Sequence, residues 1–121
     1  MDIRKKTFAG SRVALLFLSL LMLFPVVSFA EMTINDAIEY YDRGKREFER
    51  NDYDDAIEYF NKAVNDAPEN AMTRVAMYYL AKSYQKSGET GKAEETFKSL
   101  IDKYGSGNWV DWAKEDLRQV R

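Results

Sequence analysis

The 121-residue chain is 45% hydrophobic, 31% charged and 14% aromatic, and it contains neither cysteine nor histidine. Such a length accommodates one small domain. The two missing residue types exclude disulfides, thiolate nucleophiles, Cys/His zinc centres and histidine-based triads. The first 30 residues carry four basic and one acidic side chain, and the remaining 91 carry 14 basic and 19 acidic, a net charge of −5 that argues against a nucleic-acid partner.

The chain opens with Arg4, Lys5, Lys6 and Arg12, followed by 18 uncharged residues from Val13 to Ala30. Pro25 interrupts the apolar run, and Ser28-Phe29-Ala30 sets small residues just ahead of Glu31. This three-part pattern predicts a secretory signal over 1–30, cut between Ala30 and Glu31. An uncleaved anchor is the alternative, because 18 uncharged residues are barely enough to span a bilayer. Either outcome exports the remainder, with the periplasm as the expected compartment and a secreted or inner-membrane-anchored form as alternatives. After cleavage no membrane association is expected, and no cysteine is present to accept a lipid.

From Glu31 onward apolar residues recur at helical spacing. Ala37, Tyr40, Tyr41, Gly44 and Phe48 share one face of a first helix, with Thr33 and Asp36 as its N-terminal cap. Asn51-Asp52 marks a turn. Ala56, Ile57, Phe60, Ala63 and Val64 define a second helix of about 13 residues. Pro68 is expected to end that helix and open the next. The third stripe is Met72, Val75, Ala76, Tyr79, Leu80 and Tyr84, closed by Ser87-Gly88-Glu89-Thr90-Gly91. The fourth is Ala93, Phe97, Leu100, Ile101 and Tyr104. Gly105-Ser106-Gly107 breaks the chain, and Asn108 is expected to cap a last helix carrying Trp109, Val110, Trp112, Ala113, Leu117 and Val120. The fold class is therefore all-α, an antiparallel stack of helices.

The helices also repeat. Gly44, Ala56, Phe60 and Ala63 recur as Ala81, Ala93, Phe97 and Leu100 at a displacement of 37 residues. Small residues at fixed offsets let paired helices approach, and the phenylalanines fill the joint core. This pattern resembles the tetratricopeptide repeat, a helix-pair unit of 34 residues. Residues 37–70 match one unit through Gly44, Asn51, Tyr53, Ala56, Phe60, Ala63 and Pro68, with Arg43 and Glu47 departing from the usual residues. A second unit covers about 74–107 and keeps Leu80, Ala81, Tyr84, Gly88, Ala93 and Phe97 but has no proline. Three extra residues separate the two registers and are expected to lengthen the junction helix. A capping helix over about 108–120 completes some two and a half repeats within a domain of 33–121. The export signal and the string from Phe97 to Gly105 resemble bacterial envelope proteins of this class. Those include the periplasmic coordinator of the Tol-Pal system and the outer-membrane assembly lipoproteins.

The resemblance implies a concave face lined by first helices. In the family's register that face is Ile38, Tyr41, Lys45 and Phe48 in the first unit and Val75, Tyr78, Lys82 and Gln85 in the second. An aromatic surface flanked by two lysines suits a peptide segment or partner helix, with an acidic group near the lysines. Internal packing of the same aromatics is the competing expectation. In the last helix Trp109, Trp112 and Leu117 are expected to seal the open end or form a second interface.

Catalytic chemistry finds little support. Lys82-Ser83 and Lys86-Ser87 have no visible activating group. Gly88 to Lys92 lacks the spacing of a phosphate loop, and Asp52, Asp54 and Asp55 lack the loop of a calcium-binding hand, so they are expected to cap and charge a helix start. The expected function is a non-catalytic, cofactor-free adaptor or scaffold of a bacterial envelope complex that binds a protein or peptide. The alternatives are a self-associating homo-oligomeric module and a glycan-binding accessory protein.

Overall fold

The computed structural model describes residues 32–120, so the expected signal segment lies outside the described residues. Five helices follow one another: α1 (Ile34–Glu49), α2 (Tyr53–Asn61, continuing as a π-helical segment Lys62–Asp66), α3 (Thr73–Ser87), α4 (Thr90–Tyr104) and α5 (Asn108–Val120). Among the described residues there is no strand. Short turns fold α1 against α2 and α3 against α4 as antiparallel pairs, and α5 packs on α4. The first helices of the pairs stand side by side, α1 touching α3 and α3 touching α5.

Helix starts and stops follow local chemistry. The Thr33 hydroxyl accepts from the Asp36 amide at 3.3 Å, and Asp36 accepts from the Thr33 amide at 2.6 Å. This reciprocal box satisfies amides left free at a helix start. The bond from the Thr33 amide and, after it, one that the Thr33 hydroxyl donates to the same carboxylate at 2.9 Å hold the Asp36 carboxyl below its ordinary range. Just past the end of α1, Asn51 takes the left-handed φ of 65° and lets the Asp52 amide donate to the Glu47 carbonyl at 2.9 Å. Gly88 does the same for α3 at φ 88°, with Glu89 donating to the Tyr84 carbonyl at 2.9 Å.

Several boundaries differ from those expected. Pro68 does not open a helix: residues 67–72 form a loop, and α3 starts at Thr73. Asn70 organises that start, its side chain accepting from the Met72 amide at 2.8 Å and its amide donating to the Thr73 hydroxyl at 2.9 Å. The extra junction residues therefore sit in a loop, not in a longer helix. The breaker after α3 is only two residues long, because Gly91 already lies within α4. Asn108 is the first residue of α5 instead of its cap. Asp52 makes no side-chain capping bond, while Asp54 and Asp55 occupy the first turn of α2, where they favour the positive end of the helix dipole.

The core has two centres. Ala56, Phe60, Ala63, Ala76 and Leu80 form one, and Met77, Ala81, Ala93, Phe97, Leu100 and Ala113 the other. Phe60 and Phe97 are both fully buried, as are Ala56 and Ala93, so the residues 37 apart in sequence play matching parts. Val64 and Tyr84 pack against both centres and join them. The loop before α3 is held to the end of α4: the Tyr104 hydroxyl donates to Glu69 at 2.9 Å, Lys103 lies 3.3 Å from Glu69, and the Arg74 guanidinium stands 4.6 Å from the Tyr104 ring centre.

Gly44 is the tightest point of the first pair. A Cβ added there would lie 2.7 Å from two carbons of the Phe60 ring. Phe60 has no free space to yield, since it is fully buried. We expect Gly44→Ala to destabilise the domain by about 1–3 kcal/mol despite alanine's better helix propensity. Thermal unfolding followed by circular dichroism measures this.

Candidate functional site

On α1, residues at helical spacing place Ile38, Tyr41, Lys45 and Phe48 along one face. On α3 the corresponding face carries Tyr78, Lys82 and Gln85, and on α5 it carries Trp109, Trp112 and Asp116. Because α1, α3 and α5 stand side by side, their side chains form one aromatic surface. Tyr79 is its centre. Its ring meets Tyr41 at 6.3 Å, Phe48 at 5.4 Å, Tyr78 at 5.5 Å and Trp109 at 6.0 Å between centroids. Tyr78 extends the surface to Trp109 at 5.3 Å and Trp112 at 6.1 Å, and the two tryptophans meet edge to face at 4.8 Å. These separations lie in the favourable range for aromatic pairs.

The expected residues are placed unequally. Ile38 is 41% exposed and Trp112 51% exposed, whereas Tyr41, Phe48, Tyr78 and Trp109 are half-buried. Val75 is buried and offers the surface almost nothing. Gln85 is half-buried, and its Oε1 is enclosed without a hydrogen-bond partner. Leu117 packs against the second core centre, while Trp112 stays outward. Tyr41, Phe48, Tyr78 and Trp109 each pack on a neighbouring ring and leave part of themselves open.

The charges behave differently from the simple picture of two free lysines. The Lys45 ammonium lies 4.0 Å from the Tyr79 ring centre and 3.6 Å from Glu49. Lys82 lies 3.5 Å from Asp116 Oδ2. That same carboxylate oxygen accepts from the Tyr78 hydroxyl at 2.5 Å. Each lysine is thus already matched to a carboxylate, and the face is electrically balanced. Burial, helped by the bond to Asp116, pushes the Tyr78 hydroxyl well above its ordinary value.

Tyr79 and Asp116 are the two site residues that sequence reasoning missed. Tyr79 reads as a core position because it shares a stripe with Ala76 and Leu80. Asp116 follows Trp112 by four and Trp109 by seven, the spacing of one helix face, and that was the available signal. The serines beside lysines are engaged in their own helix. Ser83 is fully buried and donates to the Tyr79 carbonyl at 2.7 Å, and Ser87 donates to the Tyr84 carbonyl at 3.0 Å. Asp52, Asp54 and Asp55 line a surface depression of about 420 Å³ beside the α1–α2 turn.

The arrangement of stacked helix pairs is that of a tetratricopeptide-like helical module. A family model described as YfiO, outer membrane lipoprotein, matches residues 34–114, from the first residue of α1 into α5, and the chain belongs to that family. No curated protein matches it. The 121 residues contain no cysteine, so this sequence carries no thiol for the lipid that gives the family its description.

The buried phenols make a pH signature. Burial, followed by the nearby Tyr79, Asp42 and Glu49, pushes the Tyr41 hydroxyl from 10.0 up to about 12. Its contribution to stability is therefore fully present below pH 10 and is lost as pH rises toward 12. Ultraviolet titration should show tyrosinate forming at about pH 12, and Tyr41→Phe should lower its amplitude by one phenol, leaving that of Tyr104, which burial also pushes up to about 12.

Proposed function

We propose that the protein is an exported, non-catalytic adaptor that holds a protein segment on the aromatic face of α1, α3 and α5. The observation that carries this reading is the continuity of that face from Tyr41 through Tyr79 and Tyr78 to Trp109 and Trp112. Preformed aromatic side chains supply large contact area at small entropic cost, which is why tyrosine and tryptophan dominate binding hot spots. Two helix pairs, over 37–70 and 74–107, then form the scaffold as two repeat units. α5 serves as a half-unit that caps the stack and adds its tryptophans to the face. Residues 1–30 act as the signal, cut after Ala30, and leave the domain in the periplasm. Membership of an outer-membrane lipoprotein family supports the envelope as the site of action and an envelope protein as the partner.

The balanced charges refine the earlier expectation. With Lys45 and Lys82 each matched internally, the partner is held by apolar and aromatic side chains more than by an acidic group. A second reading, self-association, is favoured by the exposure of Ile34 at 52% and Trp112 at 51%. Sedimentation at several concentrations separates it from the first, since an adaptor that works alone stays monomeric.

Pull-down from envelope extract tests the proposal. Trp112→Ala, and Tyr41→Ala combined with Tyr78→Ala, should each weaken retention of the partner at least about tenfold, as expected for hot-spot aromatics. Circular dichroism confirms that each variant is folded. Undiminished recovery with both folded variants would reject this face as the binding site.

A further inference from the structure

A second groove lies between α2 and α4, over α3, and the aromatic face does not include it. It encloses about 320 Å³, at the low end of the range for ligand-binding pockets. Its floor is apolar: Met77 and Leu80 are almost fully buried, and Val64 packs against both core centres. Its wall carries neutral hydrogen-bonding groups in series. The Asn65 amide donates to the Asn61 side-chain carbonyl at 3.0 Å, and the Asn61 amide donates to the Tyr84 hydroxyl at 3.2 Å. Tyr84 is thus an acceptor in this series, and among the described residues its own O–H has no acceptor. The series ends in a donor on α3 and begins, at the Asn65 carbonyl, with an acceptor beside α2.

The backbone accounts for that placement. α2 widens into a π turn over Lys62–Asp66, in which the Ala67 amide donates to the Lys62 carbonyl at 3.2 Å. Val64 and Asn65 both belong to this turn and both line the groove. Such turns are uncommon and frequently accompany functional sites. The rim charges nearly cancel: Lys92 is bound to Glu89 at 2.9 Å, and Glu95 is exposed, where a single charge contributes little.

We propose that this groove binds an extended, uncharged polypeptide segment. One aliphatic side chain lies over Val64, Met77 and Leu80, and the flanking peptide groups pair with the Tyr84 hydroxyl and the Asn65 side-chain carbonyl. A peptide unit carries one donor and one acceptor, which complements the two ends of the series. A charged side chain would exchange water for an apolar floor, with only exposed rim charges, Lys92 and Glu95, to offset the loss.

The probe is a blocked pentapeptide, acetyl-glycine-serine-leucine-serine-glycine-amide, compared with versions carrying glycine, aspartate or lysine at the centre. Titrated into the purified protein, the leucine peptide should shift the methyl resonances of Val64, Met77 and Leu80, and the other three should bind at least about tenfold more weakly. Tyr84→Phe and Asn65→Ala should each weaken the leucine peptide about threefold to tenfold. Asn65 is exposed, so its variant reports on binding even if the Tyr84 variant folds poorly. Tyr41→Ala with Tyr78→Ala should leave this binding unchanged, which separates it from the aromatic face. The proposal is overturned if the leucine peptide produces no shift at millimolar concentration or if the charged peptides bind with equal affinity. It is also overturned if oligomers of N-acetylglucosamine shift these resonances and the peptide does not.

Discussion

The contact between Gly44 and the Phe60 ring sets the distance at which α1 and α2 pack, and the rest of the domain depends on that distance. A glycine inside a helix costs about 0.5–1 kcal/mol relative to alanine, so its presence reflects a close approach that no side chain would permit. With the ring seated against the α1 backbone, Phe60 is wholly removed from water. The second pair has Ala81 in the matching place, and Phe97 is buried to the same extent. Two helix pairs built on the same offsets stack in register, and that brings α1, α3 and α5 side by side. The aromatic face is a product of this stacking, because no single helix carries enough of it.

The face joins stability to recognition. Tyr78 packs on Phe97, a core residue, and Tyr41 packs on Phe60. The rings that a partner would meet are therefore held from behind by the centres of the two helix pairs. Ordering them on binding costs little, since they are already ordered. The lysine–carboxylate pairs act on the same surface in another way. Lys45 covers one face of Tyr79 and Lys82 is tied to Asp116, so the polar groups neutralise one another.

Most of the fold was legible in the sequence, because it rests on period and on small residues at fixed offsets. The stripes through Ala56, Phe60 and Ala63 and through Ala93, Phe97 and Leu100 are the observed core. Boundaries were less legible where side chains and backbone compete. Pro68 reads as a helix opener, yet Asn70 and Thr73 claim that role by hydrogen bonding a few residues later. The π turn has no sequence signature, since it depends on how the last turn of α2 meets the loop. Of the site, Tyr41, Phe48, Tyr78 and the tryptophans were legible from register. Tyr79 and the pairing of Lys82 with Asp116 were not, because both involve residues brought together only when neighbouring first helices pack.

The staple at the junction loop has a consequence for how the domain comes apart. Repeat proteins often unfold piecemeal, each unit lost at its own free energy. Here Glu69, between the first pair and the second, is bound to Tyr104 and Lys103 at the far end of α4, while Val64 and Tyr84 belong to both core centres. Neither pair can open without exposing part of the other. These shared contacts favour unfolding of residues 32–120 as one cooperative unit over forms in which one pair survives alone.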